Sequence, residues 1–296
     1  MMGATLLLGA AIRTAKAVGF DTRRAFQALA VRSLDAASRE QGLASLRARL
    51  RKIVPDVGDQ YSADFEGAEY ARYWEPKMRG LHAFQIDCAL RAINDIGRGG
   101  LLVADIGDSS GTHSAYLKGL LPPNRLERVV SVNLDAGAVA KIRAKGGEAL
   151  LARAEEMDFG DARFDLMMSF EMIEHLTDPA RFLRRLAVSG ATDRLLVSVP
   201  YVRRSRVGLQ FLREGPPYPA QVTAERVHIF ELAPEDWMLL ARFAGWSVDS
   251  CRVYRQYPRR HPLRAMAFIW RKLDFEGFCC LSLKRDLGVS DRYADW

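Results

Sequence analysis

Along the chain, short apolar runs alternate with segments whose apolar residues recur at helical spacing. The runs are Leu101–Ala104, Val129–Val132, Ala149–Ala154, Phe164–Phe170 and Arg194–Pro200. Between them, His113, Tyr116, Leu117 and Leu120 fall on one helical face, and Ala136–Ala144 and Arg181–Leu186 read as helices. Apolar runs alternating with such segments predict parallel strands joined by helices. Pro234 suits a first helical turn and Gly245 a helix stop, after which Trp246–Tyr254 and Phe278–Lys284 read as the last two strands. Upstream, residues 1–54 read as helical, with one stripe of Phe26, Leu29, Ala30 and Leu34 and a second of Leu43, Leu46, Leu50 and Ile53. A polar connection over Pro55–Gly67 leads to an aromatic-rich stretch with Tyr70, Tyr73, Trp74 and Phe84, and then to a helix over Ile86–Ile96.

The stretch LLVADIGDSSGTHSAYLKGL, Leu101–Leu120, organises the rest. It is strand, glycine-bearing turn, helix. Gly107 and Gly111 permit a sharp turn and a close ligand, and the helix start beyond them offers free N–H groups. A pyrophosphate grip calls for G-x-G-x-x-G, which is absent, and an acid at the strand end, Asp105, is a poor neighbour for phosphate. This argues against a nicotinamide oxidoreductase. The turn suits a ligand that carries positive charge, hydroxyls or amines.

Here the sequence resembles the class I S-adenosylmethionine (SAM) methyltransferases, whose first motif is an acid, an apolar residue and G-x-G-x-G, with Ser109 standing in place of the middle glycine. That family usually ends its second strand on an acid that accepts the ribose hydroxyls; this position holds Asn133, followed by Leu134 and Asp135. Ala152–Phe159 resembles the stretch that flanks the adenine, with Arg153 where the family has an acid. FDLMMSFEMIEHLTDP, from Phe164 to Pro179, closely resembles the fourth motif, and His228–Val248 resembles the closing helix and strand. The resemblance covers about residues 70–285. It implies a Rossmann-like, seven-stranded, mostly parallel sheet with helices on both faces, here with an N-terminal helical cap, and SAM as cofactor. It implies a cofactor site made of Asp105, Gly107, Asp108, Ser109, Gly111, Asn133, Leu134, Ala154, Glu155 and Phe170. It divides the chain into a helical extension over 1–69 and a methyltransferase domain over 70–296, with a substrate-side insertion at 201–227. By the same resemblance Trp74, His82 and Gln85 are candidate pocket residues.

Glu171, Glu174 and His175 stand at i, i+3 and i+4, a spacing that predicts one shared helical face just past a strand's carboxyl end. One reading makes His175 a general base oriented by a glutamate. Another holds a divalent cation there, as the similar E-x-x-E-H cluster of the ubiquinone-biosynthesis O-methyltransferases does. A third is capping and packing. His228 is a second base candidate. The insertion carries Arg203, Arg204, Arg206 and Arg213, able to clamp phosphate or carboxylate or simply to face water.

Composition narrows the partners. The 296 residues are 49% hydrophobic and 27% charged, with a formal charge of +7 dispersed over many arginines. No Asn/Asp-Pro-Pro-Tyr tetrad follows the fourth strand, so a nucleic-acid base is disfavoured. A small-molecule or glycan acceptor, methylated on oxygen, is the leading expectation; a catalytically inactive methyltransferase-like scaffold is the alternative. The four cysteines form no C-x-x-C pair, so reduced packing residues in a cytoplasmic protein are expected and a zinc site on cysteine is not. Cys279 and Cys280 should point to opposite faces of a strand. The basic helical stripe of residues 1–54 allows peripheral membrane contact. Oligomeric state is not legible.

Overall fold

The computed structural model describes residues 22–58, 70–223, 227–273, 275–293 and 295. Residues 1–21 of the segment 1–54 expected to be helical lie outside them, as do residues 59–67 of the connection Pro55–Gly67.

Among the described residues, nine strands form: β1 (Leu101–Ile106), β2 (Leu126–Asn133), β3 (Glu148–Leu151), β4 (Leu166–Phe170), β5 (Arg194–Tyr201), β6 (Arg206–Val207), β7 (Phe230–Glu231), β8 (Trp246–Arg255) and β9 (Gly277–Arg285). Seven of them make one sheet in the order β3-β2-β1-β4-β5-β9-β8. The β1–β2, β1–β4, β2–β3 and β4–β5 pairs are parallel. Strand β9 runs antiparallel to both β5 and β8. From β1 the chain moves outward to β2 and β3, then crosses back to β4 on the far side of β1. Open α/β sheets bind ligands at such a reversal, beyond the strands' carboxyl ends.

Both faces of the sheet are covered, so the strands are apolar on both sides; all five residues of β4 are buried. One face packs Ala104, Ile106, Met167, Val197 and Cys279 against helices Pro179–Ser189 and Pro234–Phe243. The other packs Val103, Met168, Leu196 and Cys280 against helices Ala44–Ile53, Glu75–Ile96 and Thr112–Leu120. The two adjacent cysteines do face opposite ways, and all four cysteines are free thiols.

Helix Glu75–Ile96 begins well before Ile86, directly after a π turn at Tyr70–Trp74. Pro76 lies in its first turn, where a missing N–H costs nothing, and Gly97 ends it in the left-handed conformation. The third strand is shorter than expected, stopping at Leu151.

Helices Thr22–Glu40 and Ala44–Ile53 form the cap. Phe26, Ala30 and Leu34 pack on Tyr73, Tyr257, Met266 and Trp270. Gln41 joins the end of β8 like an extra strand residue: its Nε2 donates to Arg255 O at 2.8 Å, and its Oε1 accepts from Arg255 N at 3.0 Å. Strand β8 is parallel to β5, so the cap sits at the sheet's ligand-binding end. Over the described part of this segment, Ala30, Leu34, Leu43 and Leu50 of the two apolar stripes are buried, while Leu29 is exposed. Among the described residues, no helix is long and apolar enough to cross a membrane.

Candidate active site

Strand β1 carries Asp105 to its carboxyl end, and the turn Gly107–Gly111 brings the next helix back over it. Gly107 has φ 94°, and a Cβ there would lie 2.9 Å from Met172 Cγ, so only glycine fits. Gly111, at φ 76°, starts helix Thr112–Leu120. One helical step on, His113 sets its Nδ1 3.0 Å from Asp105 Oδ2. Asp105 is 1% exposed, yet among the described residues its Oδ1 meets no donor, and His113 Nε2 is likewise unmatched. Buried polar atoms are rarely left so. Burial pulls the His113 ring down in pKa, but Asp105 outweighs it, with help from Asp108 and Glu171, and the net shift is upward.

Asp108 is an organiser. Its Oδ2 accepts from Ser131 Oγ at 2.8 Å and its Oδ1 from Gly111 N at 3.1 Å. Burial first, then the charge of Asp105, push its carboxyl up to about 6. Asn133, at the end of β2, donates from Nδ2 to Asp108 O at 3.0 Å and accepts Asp135 N at 2.7 Å. Its amide ties the glycine turn to β2. Leu134 is 57% exposed beside it. Ala152 N donates to Asn133 O at 3.0 Å, so the turn that carries Arg153, Ala154 and Glu155 adjoins the same edge. Arg153 reaches Glu155 at 3.6 Å. A surface hollow of about 460 Å³ between Phe159, Phe182 and Arg185 includes Ala154 but no other of the predicted site residues.

Past β4, the structure departs from expectation. Glu171, Glu174 and His175 do not share a helical face. Glu171 takes a left-handed backbone, φ 50°, while its N–H bonds Ser198 O at 2.9 Å and holds it to the sheet. Ile173–His175 is a single 3-10 turn. The helix waits until Pro179, because Asp178 precedes a proline, is disfavoured in helical conformation, and instead caps Arg181 N at 2.9 Å. Glu171 Oε1 accepts from Ser198 Oγ at 2.8 Å, and Ser198 Oγ in turn accepts from Gln85 Nε2 at 2.9 Å. Burial raises the Glu171 carboxyl to about 8, against the pull of Ser198, Lys77 and His113. Glu174 is 1% exposed; burial and then the charge of Glu171 drive it well above the carboxylate range. The left-handed step at Glu171 turns its side chain toward Ser198, and His228 arrives instead. The ring centroids of His175 and His228 lie 4.7 Å apart, nearly perpendicular.

His82 and Gln85, predicted on resemblance, both come from helix Glu75–Ile96. The His82 ring stands 5.4 Å from His113, its Nδ1 3.3 Å from Tyr116 OH, and burial keeps it neutral by lowering its pKa well below the usual value. Trp74 lies instead in the cap contact, 5.3 Å from the Tyr73 ring, with Lys77 over it. In the insertion, Arg203 pairs with Glu276 at 2.9 Å, Arg206 with Glu231, and Arg213 donates to Gly208 O at 2.8 Å, so these three hold the loop rather than stand open. The sequence reading missed His113 and Ser198. The signal for His113 was present: a strand-end acid and the first turn of the following helix are brought together whenever a tight turn joins them.

The fold is a Rossmann-like α/β sheet, with the buried ionisable side chains described above gathered beyond the carboxyl ends of β1 and β4. Residues 104–188 match a family profile described as a methyltransferase domain. Two curated relatives from Mycobacterium tuberculosis, each described as a "Probable S-adenosylmethionine-dependent methyltransferase" and coming from strains CDC 1551 and H37Rv, are 38% identical over 76 residues, which is 25% of this chain. The match spans 28% of the relatives' own length. A solved S-adenosylmethionine-dependent methyltransferase structure from Listeria monocytogenes is similar at 11% identity and TM-score 0.49, covering 70% of this chain and 99% of that one. Over that matched stretch the chain is similar to SAM-dependent methyltransferases.

Proposed function

We propose that this chain transfers the methyl group of SAM to a hydroxyl oxygen of a small molecule or glycan. The observation that carries the reading is the buried Asp105 carboxylate. One of its oxygens meets no protein donor, at the end of the central strand and beside a glycine turn. An ammonium group satisfies that oxygen; a pyrophosphate would be repelled.

The residues present fit the cofactor. Asp105, with His113 behind it, would hold the amino-acid end, and the chain over Gly107–Gly111 would lie along it. A ligand laid there displaces Met172, an unbranched side chain suited to such movement. The exposed Leu134 would be covered by the adenine, with Ala154 and Glu155 at its edge. Asn133, engaged with Asp108 and Asp135, would meet the ribose through the turn it steadies. When bound, SAM supplies a methyl group already activated on a sulfonium.

The protein must then bring the acceptor oxygen into line and take its proton. Alignment contributes most of the rate. Glu171 is the base we assign, because a carboxyl raised to about 8 is matched to a proton transfer near neutral pH. Gln85 and Ser198 aim it; Glu174, His175 and His228 form the wall behind. Glu171 would take the hydroxyl proton of the acceptor as that oxygen receives the methyl group SAM would supply.

The test is turnover with SAM carrying a deuterated methyl group, against a panel of hydroxylated small molecules and sugars. A mass-shifted product together with S-adenosylhomocysteine is expected, and Glu171→Gln should lower kcat by about 10²- to 10⁴-fold. An acceptor methylated on nitrogen or carbon would overturn the oxygen assignment, and an undiminished Glu171→Gln enzyme would overturn the base.

A further inference from the structure

Away from the ligand-binding end, one face of the molecule is apolar and uncovered among the described residues. Helix Pro234–Phe243 buries Trp237 and Ala241 against the sheet. Its outer side carries Glu235, Met238, Leu239 and Arg242, which stand at i, i+3, i+4 and i+7 and so form one stripe. Leu239, at 61%, is the most exposed large apolar side chain among the described residues. With Trp246, Ser247 and Val248 at the start of β8, and Asp286 and Val289 beyond β9, the stripe lines a groove of about 610 Å³. Phe243, the next residue along the helix, packs on Tyr293 with ring centroids 5.3 Å apart, and both of these are exposed too. An apolar surface of this extent marks an interaction site rather than a scatter of single side chains.

The charges decide what covers it. Glu235 lies in the helix's first turn and Arg242 in its last, about 10 Å apart along the axis. Among the described residues, neither side chain is in an ion pair. Asp286, the third charged residue of the groove, accepts Gly288 N at 3.0 Å and belongs to its own turn. A two-fold axis through the midpoint of the stripe, between Met238 and Leu239, turns the helix end for end. It sets Glu235 of each copy against Arg242 of the other, and Met238 of each against Leu239 of the other. The stripe is thus complementary to itself, which is what an isologous interface requires. The same operation lays the two helix dipoles antiparallel, the favourable arrangement. An anionic membrane would select cations, whereas this groove is lined by two acids and one base.

Strand pairing is not the route. Strand β8 is an edge of the sheet, yet its register shifts between Val248 and Ser250, a bulge that spoils the ladder for a further strand. Asp249, within that bulge, pairs with Lys284 at 2.6 Å and keeps charge at the edge. The groove also lies at the opposite end of β8 from the cap. Trp246 and Ser247 open the strand, whereas Arg255 at its far end meets Gln41. A second copy seated in the groove therefore leaves the carboxyl ends of β1 and β4 open.

We infer that the chain forms a two-fold homodimer through this groove, with the outer sides of helix Pro234–Phe243 packed antiparallel across the axis. Met238 and Leu239 supply the apolar centre. Two Glu235–Arg242 pairs, one on each side of it, fix the register and exclude a parallel arrangement, which would set like charges together. The interface is independent of the reaction the chain performs, so it stands or falls apart from the methyltransferase reading.

Light scattering on the full chain as it elutes from a size-exclusion column, at concentrations up to about 100 μM, reads the assembly directly. A mass of two chains is expected. Glu235→Arg sets arginine against arginine at both pairs and should weaken the dimer by about 100-fold, and adding Arg242→Glu to that variant should restore it to within about 10-fold of wild type. Leu239→Asp, which puts charge at the apolar centre, should leave single chains. All three side chains are exposed, and near-ultraviolet circular dichroism checks that each variant keeps the fold. A single-chain mass at the highest concentration, a dimer indifferent to Glu235→Arg and Leu239→Asp, or a Glu235→Arg loss that Arg242→Glu fails to repair would overturn the interface.

Discussion

At the scale of single residues, the site holds carboxyls that burial shifts upward. Glu171 moves from 4.5 to about 8 and Asp108 from 3.8 to about 6, both chiefly through burial. The folded chain therefore holds protons that the unfolded chain releases above its ordinary carboxylate values. Stability from these groups is complete below pH 4.5 and is lost as pH rises, first through about 6 and then through about 8. The raised His113 acts in the same direction. A series of thermal melts should show Tm falling across this window, and Glu171→Gln should flatten its upper part. A Tm that climbs between pH 6 and 8 in the unliganded, metal-free chain would contradict the burial argument. The strand-end acid and the glycine turn were legible in the sequence because they are contiguous. The Gln85–Ser198–Glu171 relay was not, since its three members come from a helix, a strand and the turn after another strand, which only folding brings together.

At the scale of elements, spacing read correctly wherever a segment was regular and failed where a local backbone requirement prevailed. The i, i+3, i+4 pattern at Glu171, Glu174 and His175 looked helical, but a left-handed residue and the Asp178-Pro179 start break it into a 3-10 turn. The reverse happened at Tyr70–Gln85, where aromatic density hid a helix that runs continuously from Glu75. That helix anchors the cap through Arg79, which is fully buried. Its guanidinium donates to Glu75 at 3.0 Å, Tyr116 OH at 2.7 Å, Val54 O at 2.8 Å and Pro55 O at 3.1 Å. It thus holds the end of helix Ala44–Ile53 and the first helix of the sheet domain at once. Arg79→Ala leaves the Val54 and Pro55 carbonyls without this donor, while Glu75 keeps Arg51, whose guanidinium bonds both of its oxygens. It should destabilise the chain by about 2–4 kcal/mol in denaturant unfolding. A loss below about 1 kcal/mol would mean that the cap is held by its apolar contacts alone.

At the scale of the whole molecule, the alternation of apolar runs and helical segments was sufficient to predict strands joined by helices, and the resemblance supplied their number and mostly parallel order. The antiparallel β9 between β5 and β8 could not be read from periodicity, because a strand's direction leaves no mark on its own pattern. The cap was visible as two apolar stripes, but its seat was not. Gln41 on Arg255 and Ser33 on Gln256 place it beside the end of β8, at the carboxyl end of the parallel strands. Everything proposed for that region depends on the strand-end carboxylate receiving an ammonium group. The most direct measurement is isothermal calorimetry of the full chain with S-adenosylhomocysteine, repeated with Asp105→Asn and with NADH in its place. Stoichiometric binding of S-adenosylhomocysteine, weakened about 10- to 100-fold by Asp105→Asn for the loss of one charged hydrogen bond, is the expected result, with no heat from NADH. Equal affinity in the two chains, or binding of NADH and not of S-adenosylhomocysteine, would contradict it.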